Sequence, residues 1–272
     1  MTSRERERES EKSCYLIYDG KDENSKKLEF GDEIDEYIKR LQPKLLKCDK
    51  KYPAGDFRSS ECIELLKQSD IVVTNPPFSL FREYVAQLIE FDKKFVIISN
   101  KNSLTYKEIF QLIKENKIWV GYTPMSVDLL FDTTEEFKQE VLKNKNIGSG
   151  YKIIDGILKA RASAIWMTNL THKKRYEILE TIWEYAKNPE KYPKYDNYDA
   201  INVDKTAEIP LDYDGVMGVP ITFLDKYNPE QFEIIGKMST TGIDEFNFGY
   251  PYINGKKIYA RILIKNRNLD KG

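Results

Sequence analysis

The sequence contains few of the residues that build metal sites or disulfide frameworks. Of its 272 residues, three are cysteine and one is histidine. Cys14, Cys48 and Cys62 lack metal-ligand spacing and leave one cysteine over, which argues against a zinc site and against a disulfide-stabilised secreted domain. We therefore expect no metal and a reducing cytoplasm.

Long apolar runs and an excess of one charge are also missing. No apolar stretch approaches the roughly 18 residues of a membrane-spanning helix, and no signal-peptide pattern is present. We therefore expect a cytoplasmic protein without a membrane segment. The formal net charge of −1 excludes a chain that coats nucleic acid by overall charge, but it leaves a local basic cleft open.

What is present is enough length and apolar content for a substantial core. The chain is 40% apolar and 32% charged, which is typical of a soluble globular protein with one large domain or two unequal ones. The first 13 residues, MTSRERERESEKS, have no apolar period, and we expect a solvated tail there.

Between residues 70 and 170, short apolar runs alternate with amphipathic patterns. DIVVT, FVIIS, IWVGY and SAIWMT are typical of buried strands, and residues 80–90 and 106–115 are typical of helices. Further helices are predicted over residues 61–67, with Ser59 or Ser60 as the N-cap, and over residues 31–51. This order predicts an α/β fold with a parallel sheet covered on both faces.

The pattern changes after residue 172. A helix is predicted through Trp183 and Tyr185, and short strand-like segments separated by turn residues follow. We therefore predict a flexible tail at 1–13, an α/β catalytic domain at 14–172, and a C-terminal lobe of mixed, largely β character at 173–272.

The apolar strand at residues 71–74 ends in Asn75, Pro76, Pro77 and Phe78, called here the NPPF loop. Ligands in open α/β sheets bind outside the carboxyl ends of strands. The Asn75 side-chain oxygen and the Pro76 carbonyl can accept both hydrogens of a planar exocyclic amine, while Phe78 stacks on its ring. This combination favours attack by an amine on an electrophilic methyl group. The alternative is a polar turn with Phe78 in the core.

TNPPF resembles the (D/N/S)PP(Y/F) motif of amino-methyltransferases that use S-adenosyl-L-methionine. With GDFRSSECIELLKQSDIVVTNPPFSLFREYVAQLIE, IWMTNLTHKKR and the downstream strings YPKYDNYDAINV and DYDGVMGVPITFLDKYNPEQFEIIG, the chain resembles the EcoRI-type adenine-specific DNA methyltransferase family from about Tyr15 onward. The resemblance implies a Rossmann-like methyltransferase sheet and S-adenosyl-L-methionine as the cofactor. It also implies methyl transfer to adenine N6 in double-stranded DNA, as in restriction–modification.

The resemblance also assigns residues to roles. The NPPF loop matches the catalytic loop that holds a flipped adenine. Asp56 and Phe57 match the position near the cofactor adenine. Asp56 fits equally well as a charge at the N-terminus of the following helix.

Two segments are candidate DNA contacts. Lys173, Lys174 and Arg175 suit phosphate neutralisation, although such a run also fits a solvated helix face. Tyr195 and Asn197 lie in a Tyr-rich loop that suits stacking and groove contacts, or that packs as an ordinary aromatic loop.

The chain departs from the family pattern at its N-terminal side. The family's cofactor-binding strand and loop should lie upstream of residue 15, where this chain has a charged tail. Without that strand, residues 71–74 would present an unpaired apolar edge. Three explanations are open. Another chain supplies the missing part, residues 14–18 cover the edge, or the sequence is a truncated copy. We favour the truncated copy.

Two other functions remain open beside an autonomous DNA methyltransferase. One is a DNA-binding remnant or subunit that depends on another chain for cofactor binding. The other is methylation of a protein glutamine, because NPP loops also serve that reaction. The basic, Tyr-rich second lobe makes the protein substrate the weaker alternative.

Overall fold

The computed structural model describes residues 13–16, 43–143 and 150–267. The chain divides into two compact units, residues 1–70 and 71–272. Residues 1–12 of the predicted tail and residues 31–42 of the predicted helix lie outside the described residues. The predicted boundary after residue 172 falls inside the second unit and stays a prediction.

The first unit contains a short strand pair. Strand β1 (Cys14–Tyr15) runs antiparallel to β2 (Lys44–Leu45), so the described part of residues 14–18, a candidate cover for the edge of residues 71–74, pairs within its own unit. The helix predicted as far as residue 51 is wrong in its described part. Pro43 has no backbone N–H for a helix, and the residues after it pair as a strand instead.

The predicted helix after Phe57 is confirmed. Helix α1 spans Ser60–Gln68, and the hydroxyl of Ser59 accepts a hydrogen bond from the Cys62 backbone N–H at 3.3 Å. Ser59 is therefore the N-cap, because its side chain satisfies a backbone donor that the first helical turn leaves unpaired.

The second unit holds the remaining described strands and helices. The strands are β3 (Ile71–Thr74), β4 (Lys94–Asn100), β5 (Trp119–Val120), β6 (Leu129–Asp132), β7 (Tyr151–Ile154), β8 (Ile157–Ala162), β9 (Ala164–Thr168), β10 (Ile201–Asn202), β11 (Met217–Pro220), β12 (Phe232–Met238), β13 (Tyr252–Ile253), β14 (Lys256–Lys257) and β15 (Arg261–Asn266). The helices are α2 (Phe81–Glu90), α3 (Lys107–Lys114) and α4 (Glu135–Lys143).

The sheet that carries the NPPF loop has the strand order β3-β4-β9-β5. Strands β3 and β4 are parallel, whereas β9 runs antiparallel to both β4 and β5. The prediction of an all-parallel sheet is therefore wrong at β9. Its first residue, Ala164, pairs with Asn100 at the carboxyl end of β4, so β9 has to run back along the sheet.

The two faces of this sheet differ in burial. Phe95 and Ile97 of β4 are buried on one face, and α2 packs against this strand, whereas Val96 and Ile98 on the other face are only partly buried. Val73 of β3 is 68% exposed. Covering of both faces was predicted, and the second face is covered only in part, because Ala164 and Thr168 of β9 are buried there while Val73 is exposed.

A small antiparallel sheet precedes β9 and was not predicted. Its order is β6-β8-β7, and β7 and β8 meet at Asp155-Gly156, whose φ angles are 49° and 76°. An Asp-Gly pair between apolar segments is the sequence signal of such a two-residue hairpin turn.

The described residues of the C-terminal part contain strands, 3₁₀ turns and irregular segments but no α-helix. Its main sheet has the order β10-β11-β15-β12, and β13 and β14 form a separate hairpin. The helix predicted through Trp183 and Tyr185 is wrong. The Gln231 side chain bonds both the N–H and the C=O of Leu179, at 2.8 and 2.9 Å, and Trp183 C=O accepts from Leu211 N–H, so these backbone groups pair with distant residues instead.

None of the helices that the structure describes is both long and apolar enough to cross a membrane.

Candidate active site

Strand β3 delivers the NPPF loop to the carboxyl edge of the sheet. The β-branched run Ile71–Thr74 favours a strand, and Pro76 and Pro77 end it because neither has a backbone N–H for strand pairing. The loop therefore emerges where ligands of α/β sheets bind.

The residues that follow the NPPF loop fix its backbone conformation. Pro77 has φ −64°, and its carbonyl accepts the Leu80 N–H at 3.0 Å to form a 3₁₀ turn over Phe78–Leu80. The next residue, Phe81, is buried and begins α2. Phe78 is 47% exposed, so its side chain is accessible to solvent, while Pro77 and the 3₁₀ turn restrict its backbone. This excludes the alternative in which Phe78 is a core residue.

The polar groups of the NPPF loop can still form hydrogen bonds. Asn75 is exposed, and no described residue bonds its side-chain amide or the Pro76 carbonyl oxygen. The Asn75 amide and one aromatic face are therefore accessible to a planar amine, whereas Pro76 is buried and contributes an unbonded carbonyl.

The neighbouring strand end is braced by the C-terminal lobe, which sequence reasoning missed. Asn100 ends β4 and caps the next turn by accepting the Asn102 N–H at 2.9 Å. The turn ends at Thr105, whose carbonyl accepts a hydrogen bond from the buried ammonium of Lys237 on β12. Burial lowers the pKa of Lys237 below its usual range. A buried lysine on a strand has no signal in a local pattern.

Asp56 and Phe57 lie in the first unit, and both contact the guanidinium of Arg58. Arg58 donates to the Asp56 carboxylate through Nε at 2.9 Å and Nη2 at 2.8 Å, and its guanidinium stacks on Tyr52 at 4.6 Å. These hydrogen bonds hold the pKa of Asp56 below its usual range. One Asp56 oxygen, Oδ2, accepts from a single donor among the described residues, so it can also accept an amine hydrogen.

The predicted basic run divides into one exposed and two buried residues. Lys173 is exposed. The Lys174 ammonium donates to the Tyr122 carbonyl at 3.1 Å, while Arg175 donates to Asn116 Oδ1 at 2.8 Å. Arg175 also lies 3.8 Å from the centroid of the Trp119 ring. Burial lowers the pKa of both Lys174 and Arg175. Their placement favours a structural role over phosphate contact.

The Tyr-rich loop packs in a similar way. Tyr195 is buried, and its hydroxyl donates to Asn202 Oδ1 at 2.9 Å. Its oxygen would lie 2.1 Å from a Cβ at Gly218, so only glycine fits there. The Asn197 amide donates to the Tyr250 carbonyl at 3.1 Å. These contacts favour the packed-loop alternative for Tyr195 and Asn197.

No cluster of His, Cys, Asp and Glu side chains suitable for a metal ion occurs among the described residues.

Comparisons with known proteins agree on one family. Residues 2–267 match the family described as adenine-specific methyltransferase EcoRI. Type II methyltransferase M.EcoRI of Escherichia coli is 55% identical over 217 residues, which are 80% of this chain and 64% of that protein. The alignment thus spans less than two thirds of that relative.

Two mycoplasma proteins are also similar. Type II methyltransferase M.MpnI of Mycoplasma pneumoniae is 42% identical over 78% of this chain and 69% of its own length. Type II methyltransferase M.MgeORF184P of Mycoplasma genitalium is 38% identical over 79% of this chain and 70% of its own. No solved structure matches.

Proposed function

Because the chain belongs to the adenine-specific methyltransferase EcoRI family, we propose that it transfers a methyl group to adenine N6 at a specific site in double-stranded DNA. The observation that carries the proposal is the NPPF loop. It combines an exposed Asn75 amide with a Phe78 ring that is 47% exposed at the carboxyl edge of a sheet.

The strand directions support a Rossmann-like methyltransferase sheet. Strands β3, β4 and β5 run in one direction, because β4 and β5 are both antiparallel to the strand between them, β9. Helix α2 connects β3 to β4, and α3 follows β4, so the loops after β3 and β4 open at the same edge.

The loop would act on the target amine by polarising it. The Asn75 Oδ1 and the Pro76 carbonyl accept its two hydrogens, which localises the nitrogen lone pair, while Phe78 stacks on the purine. A bound sulfonium donor would supply the methyl group and leave as a thioether, and the amine nitrogen that accepts the methyl carbon would lose one proton to solvent. Extruding the base costs a few kcal/mol, which stacking partly offsets.

We propose S-adenosyl-L-methionine as the methyl donor, which supplies an electrophilic methyl group on a sulfonium. The residues that fit it are Asp56, whose Oδ2 retains acceptor capacity, and the half-buried Phe57 beside it. Arg58 would position the carboxylate.

A labelled-methyl assay on DNA tests the proposal. Asn75→Ala is expected to lower kcat about 100-fold or more, by analogy with the loss of one preorganised polar group. Its thermal unfolding midpoint should not change, because no described residue bonds the exposed side chain. Gln68→Ala, which removes an exposed amide on α1, is the control and should keep full activity.

Two outcomes would contradict the proposal. Folded wild-type protein that transfers no methyl group to adenine-containing DNA rejects autonomous activity. Full activity in Asn75→Ala rejects the assigned role of the loop.

A second candidate is a DNA-binding subunit that completes its cofactor site with another chain. The exposed edge of β3 favours it, since β4 is the only described neighbour of β3 and Val73 is 68% exposed. Calorimetry with S-adenosyl-L-methionine separates the two, because tight binding to this chain alone eliminates the subunit.

A further inference from the structure

The β13–β14 hairpin presents two adjacent lysines at the surface of the C-terminal lobe. Its strands pair around the two-residue turn Asn254-Gly255, whose φ angles are 50° and 71°. Positive φ at both turn positions is the geometry that matches the twist of a tight hairpin. The turn therefore has a defined shape.

The Tyr-rich loop fixes this hairpin in place. The Asp196 carboxylate accepts the Asn254 N–H at 3.0 Å and the Gly255 N–H at 2.7 Å, and the Asp196 N–H donates to the Tyr252 carbonyl at 2.8 Å. Ile253 packs against the buried cluster of the lobe. An isolated two-stranded hairpin is marginally stable, so these contacts are what preorganise it.

The exposed surface of the hairpin is cationic and aromatic. Lys256 and Lys257 lie on opposite faces of their strand and are both exposed, and Tyr259, two residues further on, is 87% exposed. The Lys257 ammonium lies 3.1 Å from the centroid of the Tyr250 ring, which limits the conformations of its side chain. Lysines beside an exposed aromatic ring suit a polyanion that also carries planar groups.

A cavity of about 470 Å³ lies beside the hairpin and is lined in part by Lys256, Tyr259 and Arg261. Arg261 is buried and donates through Nε to Asn202 Oδ1 at 2.9 Å. Its Nη2 is 3.5 Å from Asp204 Oδ1, so the one acidic side chain lining the cavity already has a cationic partner. Lys256 is therefore the lining cation that has no carboxylate partner within the cavity, and Lys257 adds its charge on the hairpin outside that lining.

We propose that this hairpin is a DNA-contacting ribbon in which Lys256 and Lys257 neutralise backbone phosphates and Tyr259 contacts a sugar or base. The identity of the polyanion rests on the proposed function, while the site itself rests on the hairpin geometry. A two-stranded ribbon fits the major groove of B-DNA, and its lysines would set register and not sequence choice.

Binding of a fluorescent duplex to the full chain, measured over a range of salt concentrations, tests the ribbon. The double variant Lys256→Gln/Lys257→Gln is expected to reduce the slope of log K against log salt by about 1.8, because each phosphate contact contributes about 0.9. Lys256→Arg/Lys257→Arg keeps both charges and should keep the slope. The charge-matched control is Lys187→Gln/Lys226→Gln, which removes two exposed lysines of the same lobe outside the hairpin.

The outcomes separate the ribbon from the proposed function. A reduced slope in the glutamine hairpin variant alone, with an unchanged unfolding midpoint, supports the ribbon. Wild-type binding with an unchanged slope in that variant overturns the ribbon and leaves the DNA substrate intact. Equal reductions in the variant and the control also overturn it, because net charge then explains the effect. No duplex binding by the wild-type chain overturns both proposals.

Discussion

At the residue scale, the polar side chains of this protein differ in how far the fold already uses them. Lys174 and Arg175 each have a partner within hydrogen-bonding distance, at 3.1 and 2.8 Å, and both are buried. Asn75 is exposed and bonds to no described residue. The Arg175 Nε has no hydrogen-bond partner among the described residues, but it is buried and therefore inaccessible to a ligand. Spare hydrogen-bonding capacity combined with solvent exposure therefore separates site residues from structural ones better than residue type does.

Asp56 allows a test of pH dependence at this scale. Its pKa is lowered chiefly by hydrogen bonding to Arg58, so its stabilisation is fully present above the unfolded pKa of about 3.9 and is lost as pH falls through the lower folded pKa. Asp56→Asn should therefore lower the free energy of unfolding by about 1 kcal/mol at pH 7. Denaturant unfolding between pH 7 and pH 2 should show this difference shrinking as the carboxyl is protonated.

The control for this measurement is Asp70→Asn, which changes an exposed carboxylate in the same unit. A difference between wild type and Asp56→Asn that stays constant down to pH 2 would contradict the ion-pair explanation.

At the scale of elements, the surroundings of a segment decided which of its residues reach solvent. The 3₁₀ turn Lys173–Tyr176 turns Lys173 outward and buries the next two residues. Strand β3 has an unpaired edge in the described sheet, and this exposes Val73.

Arg175→Ala should destabilise the protein by about 1–3 kcal/mol, because it leaves Asn116 Oδ1 without its donor and Trp119 without the stacked guanidinium. Lys173→Ala, in the same turn but exposed, should change stability by less than about 0.5 kcal/mol. Denaturant unfolding measures both. Equal, small effects of the two substitutions would contradict the structural role of Arg175.

Val73→Lys should reduce self-association without loss of stability, because a charge on an exposed strand edge opposes pairing between chains. Sedimentation velocity and thermal unfolding measure the two effects. Ile182→Lys is the control, since Ile182 is 88% exposed but lies outside any described strand. If both substitutions reduce association equally, general solubility explains the result and strand pairing does not.

At the scale of the whole molecule, the predicted C-terminal lobe and the α/β sheet belong to one compact unit. The Lys237 ammonium on β12 reaches the Thr105 carbonyl, and Asp225 Oδ2 accepts the Met125 N–H at 2.8 Å. These contacts join residues more than 90 positions apart. The lobe is therefore expected to unfold together with the sheet that it braces.

Amide hydrogen exchange tests this expectation. Peptides from β4 and β12 should lose their slowest-exchanging protection with the same free energy, because one global opening exposes both. In Lys237→Met that shared free energy should fall while remaining equal in the two peptides. A β12 that opens several kcal/mol below β4 would show the lobe to be an independent domain, with a boundary after residue 172.

The local pattern of the chain determined α1 with its Ser59 cap, helices α2 and α3, and the strand–proline stop that forms the NPPF loop. Each depends on residues within about a dozen positions, where capping, periodicity and proline geometry act. The family resemblance also came from the sequence alone, through strings spread over most of the chain. The tertiary structure decided the reversal of β9, the extended segment at Leu179, and which cations are buried. Those outcomes depend on partners such as Asn100, Gln231 and Trp119, which lie some 50 or more positions away and which no local period encodes.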